Sequence, residues 1–86
     1  MEIKANNRVR VYEEASDQQL PATVVGHIIK GAWVDTISFP IIELDYDVPA
    51  KLVKAFTPVT KKDYKFAQKN RTYVVDRSLL TPMEEN

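Results

Sequence analysis

From Arg8 to Glu13 the chain alternates, with Val9 and Val11 in one phase and Arg8, Arg10 and Tyr12 in the other. Period two is the mark of a half-buried β-strand. A polar, turn-rich stretch follows, Glu14 to Gln19. Pro21 then suits the edge or start of a strand, where its missing N–H does no harm. Thr23 to Lys30 reads as a second strand, apolar on both faces through Val24, Val25, Ile28 and Ile29. Gly26 interrupts it, as at a bulge or sharp bend. Trp33 to Phe39 is a short additional strand. Ile41 to Tyr46 is the third main strand, with Ile42, Leu44 and Tyr46 in one phase and Ile41, Glu43 and Asp45 in the other. The stretch Ala22–Tyr46 is the longest β-prone run, and it holds the single Trp, the single His and both Gly residues.

The second half is less regular. Leu52 to Phe56 predicts a fourth strand, stopped by Thr57-Pro58. Thr60 and Asp63 have the spacing of a capping box, followed by good helix formers. This predicts a short helix over 60–69, with a lysine-rich loop as the alternative. Asn70 suits a left-handed terminator. Thr72 to Asp76 is the last strand. Arg77 to Leu80 reads as one tight turn, and residues 83–86 as a frayed tail. Phase alone predicts a core of Val9, Val11, Val24, Ile28, Ile42, Leu44, Val75 and Leu79.

At 86 residues the chain fits one domain, 1–86, with one modest core. It has no Cys, which removes disulfides, thiolate zinc sites and cysteine nucleophiles. No apolar run reaches membrane-span length, and the N-terminus lacks a signal-like core. The expectation is a cytoplasmic protein with no membrane partner.

Net charge is zero, but its layout is uneven. Residues 1–50 carry four basic and eight acidic side chains; residues 51–71 carry seven basic and one acidic. The basic segment interleaves Lys54, Lys61, Lys62, Lys65, Lys69 and Arg71 with Tyr64 and Phe66. Cations beside aromatic rings are what a nucleic-acid surface uses. The competing reading is a solvated lysine face whose rings point inward. Lysine also outnumbers arginine, the better bidentate reader of phosphate.

No catalytic motif stands out. His27 lacks partners at the spacing of a metal site or triad. Glu43, Asp45 and Asp47 recur at spacing two, the pattern of a strand's solvent face, with no calcium-loop glycine. No metal or cofactor is expected. Trp33, with Ile37 and Phe39, is either core filler or an interface hot spot.

Several features resemble Src-homology-3-like small β-barrels of the KOW and Tudor type. They are Thr23-Val24-Val25-Gly26, Ile42-Glu43-Leu44-Asp45, and Val74-Val75-Asp76-Arg77-Ser78-Leu79-Leu80-Thr81-Pro82, spread over residues 8–82. The segment between Val48 and Thr72 departs from that pattern by its length. The resemblance implies an all-β, five-stranded barrel whose second strand bends at glycine. The expected function is a non-enzymatic interaction module. Its partner is a protein or another copy of itself, a homodimer in which acidic and basic patches meet twice. Weak nucleic-acid binding through 51–71 is the alternative.

Overall fold

The computed structural model describes residues 6–32 and 35–83, with the side chains at 30, 32, 35 and 36 outside that description. Among the described residues, alternating patterns become strands β1 (Arg8–Glu13), β2 (Gln18–Ala32), β3 (Asp35–Leu44), β4 (Thr57–Pro58), β5 (Thr72–Val74) and β6 (Leu80–Pro82). They form one antiparallel sheet in the order β4-β5-β3-β2-β1-β6. The fold is β-dominant. It is not the expected closed five-stranded barrel, because there are six strands and β4 and β6 stay at opposite edges. Two single turns of 3-10 helix, Ala50–Leu52 and Arg77–Leu79, are the helical elements described.

β2 is unusually long, so it serves two neighbours. Its first part pairs with β1, from Gln18 opposite Glu13 to Thr23 opposite Arg8. Its remainder pairs with β3, from Ala22 opposite Leu44 to Ala32 opposite Asp35. Pro21 lies inside β2 rather than at its start, and its carbonyl accepts from Asp45 N–H. β3 is continuous through Pro40, joining two stretches that read as separate strands.

A bulge falls between Val24 and Gly26, where the register shifts by one residue. Val24 lies opposite Ile42, yet Gly26 lies opposite Ile41. A one-residue slip sends every later side chain to the other face. This corrects the predicted core: Ile28 shares phase with Val24 in the sequence but packs on the opposite side of the sheet. Gly26 is not compelled by strain. Its φ is not positive, and an added Cβ would meet only Ile41 Cδ1, at 3.8 Å. Gly26→Ala is therefore expected to keep the bulge and to raise stability by about 0.4–1 kcal/mol through the unfolded chain. Urea denaturation checks this.

One face of the sheet carries the main core: Val9, Val11, Val24, Ile42, Leu44 and Val75 are all buried. Leu79 is half-buried against it. The segment Val48–Phe56 covers this face. Here a second expectation fails, because Leu52–Phe56 is not a strand. Leu52 N–H donates to Pro49 C=O, Val53 N–H to Ala50 C=O and Phe56 N–H to Val53 C=O. These turns drop Val53 and Phe56 onto the core as plugs. The opposite face carries a smaller cluster, Ile41, Val59 and Ala67, joined by Val25, Ile28, Tyr64 and Val74.

The helix expected over 60–69 is absent. Asp63 and Tyr64 N–H both donate to Thr60 C=O, so one turn starts at the predicted cap. It does not propagate. A helix would stack Lys61 under Lys65 and Lys65 under Lys69, like charges at i,i+4 that repel. Nucleation is costly for so short a segment. Asn70 does take the left-handed conformation, at φ 70°, closing a turn rather than a helix. Tyr46, in phase with Ile42 and Leu44, lies beyond the end of β3 and is exposed. Of the predicted tail, Met83 donates its N–H to Arg8 C=O; residues 84–86 lie outside the described residues.

Candidate functional site

Three places in the molecule depart from a plain folded sheet. The first is Glu13, whose side chain is 0% exposed. The β1–β2 turn and the Val48–Phe56 segment converge on it. Glu13 Oε1 accepts from Ser16 N–H (2.6 Å) and Ser16 Oγ–H (2.8 Å), and Oε2 accepts from Ala55 N–H (2.7 Å). Ser16 Oγ also reaches Leu52 C=O at 3.2 Å. Burial pushes the carboxyl upward, but these donors outweigh it and hold Glu13 below the ordinary range. No described cation pairs with it. The site is a structural latch whose donors are fully engaged. Sequence reasoning passed over it, although Glu13 shares the phase of Val9 and Val11, which already points it inward.

The second is an arm. Beyond Val24, residues 26–32 of β2 and 35–39 of β3 pair with each other and, among the described residues, with no other strand. Ile29 is 70% exposed and Ile37 is 57% exposed. Ile29 lies opposite Ser38 and Ile37 opposite position 30, so the two isoleucines occupy opposite faces of the ribbon. Phe39 is half-buried and lies opposite Ile28. Trp33, expected beside them, lies outside the described residues. His27 is half-buried opposite Pro40.

The third is the basic segment. The structure splits the expected nucleic-acid residues into groups. Lys54, Lys61 and Lys69 line a cleft of about 660 Å³. Its apolar lining comes from Val53, Phe56, Val59, Ala67 and Tyr73. Phe56 and Tyr73 meet with ring centroids 5.7 Å apart. Burial, with Asp47 nearby, raises the Tyr73 hydroxyl. Thr72, buried, holds the adjoining turn, its Oγ1 accepting from Gln68 N–H at 2.9 Å. Away from the cleft lining, Lys65 Nζ stands 4.9 Å over the Phe66 ring, and Tyr64 meets Phe66 edge-on at 5.8 Å. Phe66 is exposed, whereas Tyr64 is half-buried in the smaller cluster. Lys62 is exposed and lines no part of the cleft.

Arg71 belongs with the acidic half instead. Its Nε lies 3.5 Å from Asp47 Oδ1, an ion pair without hydrogen-bond geometry, and its guanidinium donates to Asp45 C=O. Asp45 itself takes a bidentate pair from Arg8, both contacts at 2.5 Å. That pairing holds its carboxyl below the usual range, with Arg71 adding to it. Of the acids at spacing two, Asp45 and Asp47 therefore serve as arginine partners, while Glu43 Oε1 accepts from Gln68 Nε2 at 3.3 Å. Among the described residues, no three His, Asp or Glu side chains gather as a cation site.

Comparison of the chain with protein-family models, with curated proteins and with solved structures finds no match.

Proposed function

We propose that this is a non-enzymatic interaction module that associates with a second copy of itself through the β2–β3 arm. The carrying observation is the pair of exposed isoleucines on a ribbon that, among the described residues, pairs with no further strand. A two-stranded ribbon alone is marginally stable in water and gains from a third strand or a cover. Open strand edges are templates for pairing with another chain. The rest of the sheet is protected against this. Its edge strands are two and three residues long, and each carries a proline, Pro58 and Pro82. The arm has no proline over 26–32 or 35–39. The contrast between blunted edges and an open arm supports association there.

The order in which β1 lies between β2 and β6, the bulged β2, and the single turn at Arg77–Leu79 before β6 support the resemblance to Src-homology-3-like modules. The uneven charge contributes less to association than its layout suggests, since Asp45 and Asp47 meet Arg8 and Arg71 within the chain. Nucleic acid is the weaker reading. Arg71, the only arginine of the basic segment, is engaged, and the lysines are scattered: three line the cleft, Lys65 stands over Phe66, and Lys51 and Lys62 do neither.

The test is sedimentation over a range of concentrations. The native chain is expected to run as a dimer or higher oligomer, little affected by salt because the contact is apolar. The double variant Ile29→Lys/Ile37→Lys is expected to run as a folded monomer whose melting temperature no longer rises with protein concentration, since both side chains are exposed. Monomer mass for the native chain at every accessible concentration overturns the reading.

A further inference from the structure

We infer that the cleft between the Ala50–Phe56 and Val59–Asn70 segments is a binding site for a small organic anion with an apolar body, such as a medium-chain carboxylate. The volume, about 660 Å³, lies within the range of sites that enclose small ligands. The chemistry of the lining is lopsided. Val53, Phe56, Val59, Ala67 and Tyr73 supply its apolar surface. Fourteen residues line the cleft, and none is Asp or Glu. Three are lysines, each exposed, and among the described residues none of the three forms an ion pair. What sets these three apart from the other exposed lysines, Lys51, Lys62 and Lys65, is their place on the rim of an apolar hollow that carries no carboxylate. Free cations beside an apolar hollow match a ligand that brings an anionic head and an apolar body together.

The walls suit the task. The 3-10 turn at Ala50–Leu52 and the plug of Phe56 are fixed to the main core, and Glu13 holds Ala55 from behind. On the other side, Val59 N–H donates to Thr72 C=O, and Thr72 N–H donates to Gln68 C=O. Val59 and Ala67 pack into the smaller cluster. Both walls are thus anchored to the sheet, so the hollow stands between segments with independent support. Binding of the anion does not require the arm.

The experiment titrates dodecanoate, below its micelle concentration, into the native chain and follows amide shifts by NMR. Shifts are expected at Ala67, Asn70 and Tyr73, and not at Ile29 or Ile37. Dodecyltrimethylammonium, the same tail with the opposite charge, is expected to bind at least tenfold more weakly. Two charge-matched variants locate the cations. Lys54→Gln/Lys61→Gln/Lys69→Gln removes the three that line the cleft, and affinity is expected to fall about tenfold. Lys51→Gln/Lys62→Gln/Lys65→Gln removes three exposed lysines that do not line it, and affinity is expected to change less than about threefold. Equal loss from both variants overturns the site, as do equal binding of the cationic amphiphile or shifts confined to the arm. A single-stranded oligonucleotide that binds the cleft more tightly than dodecanoate also overturns it, in favour of a nucleic-acid groove.

Discussion

Glu13→Ala is expected to lower stability by about 3–5 kcal/mol, since it removes hydrogen bonds to a buried charged acceptor that are worth about 1.5–3 kcal/mol each. Ala55 N–H and Ser16 N–H lose their acceptor together, and the Val48–Phe56 cover loses its tie to β1. Glu13→Gln is expected to cost less, because an amide oxygen replaces one acceptor while its NH2 opposes a donor. The same carboxylate sets the acid limb of stability. Its folded value is depressed, so its contribution is fully present above the ordinary Glu value of 4.5 and is lost as pH falls below it through the folded value. Asp45, held down by Arg8, contributes with the same sign from 3.8 downward. Urea midpoints measured between pH 7 and pH 2 are expected to fall steeply below about pH 4.5 for the native chain, and less steeply for Glu13→Gln. Parallel curves for the two would show that the latch is not the acid-sensitive element.

Phe56→Ala is the second large effect, expected to cost about 3–5 kcal/mol. A chain of this length has on the order of 4–13 kcal/mol in total, so a large part of the population would unfold. Phe56 is buried, meets Tyr73 at 5.7 Å, and is the last plug of a cover that has no strand pairing to fall back on. Phe56→Leu keeps most of the volume and is expected to cost about 1–1.5 kcal/mol. Guanidinium titrations of the two variants separate lost packing from lost ring geometry. A loss below about 1 kcal/mol for the alanine variant would mean that the cover contributes little to the core.

What the sequence made legible was phase. Val9, Val11, Val24, Ile42, Leu44 and Val75 are buried, as their alternation requires. Ile28 was misplaced because phase counting assumes an unbroken register, and the bulge adds one residue. Leu52–Phe56 has strand-like composition, but its backbone N–H groups find turn carbonyls and the Glu13 carboxylate instead of a neighbouring strand. The Thr60 cap was readable, whereas the failure of the helix behind it depended on lysine spacing and on Tyr64 and Ala67 being drawn into the smaller cluster. The basic segment was visible as charge, but its division into a cleft, a Phe66 platform and an arginine tied to the acidic half was not. That division depends on which cations find carboxylates across the fold, and the order of residues does not carry it. Neither Glu13's role as a latch nor the cleft was read from the sequence.

The pairing of β1 with β6 has a kinetic consequence. Val9 lies opposite Pro82 and Val11 opposite Leu80, contacts that span nearly the whole chain. β1 is an inner strand, so one side of it stays bare until the last residues of the sheet arrive. A chain emerging from the ribosome can form the β1–β2 and β2–β3 hairpins early, but it cannot close the main core until β6 is released. Non-local closure of this kind slows folding, and until it happens β1 keeps one edge unpaired.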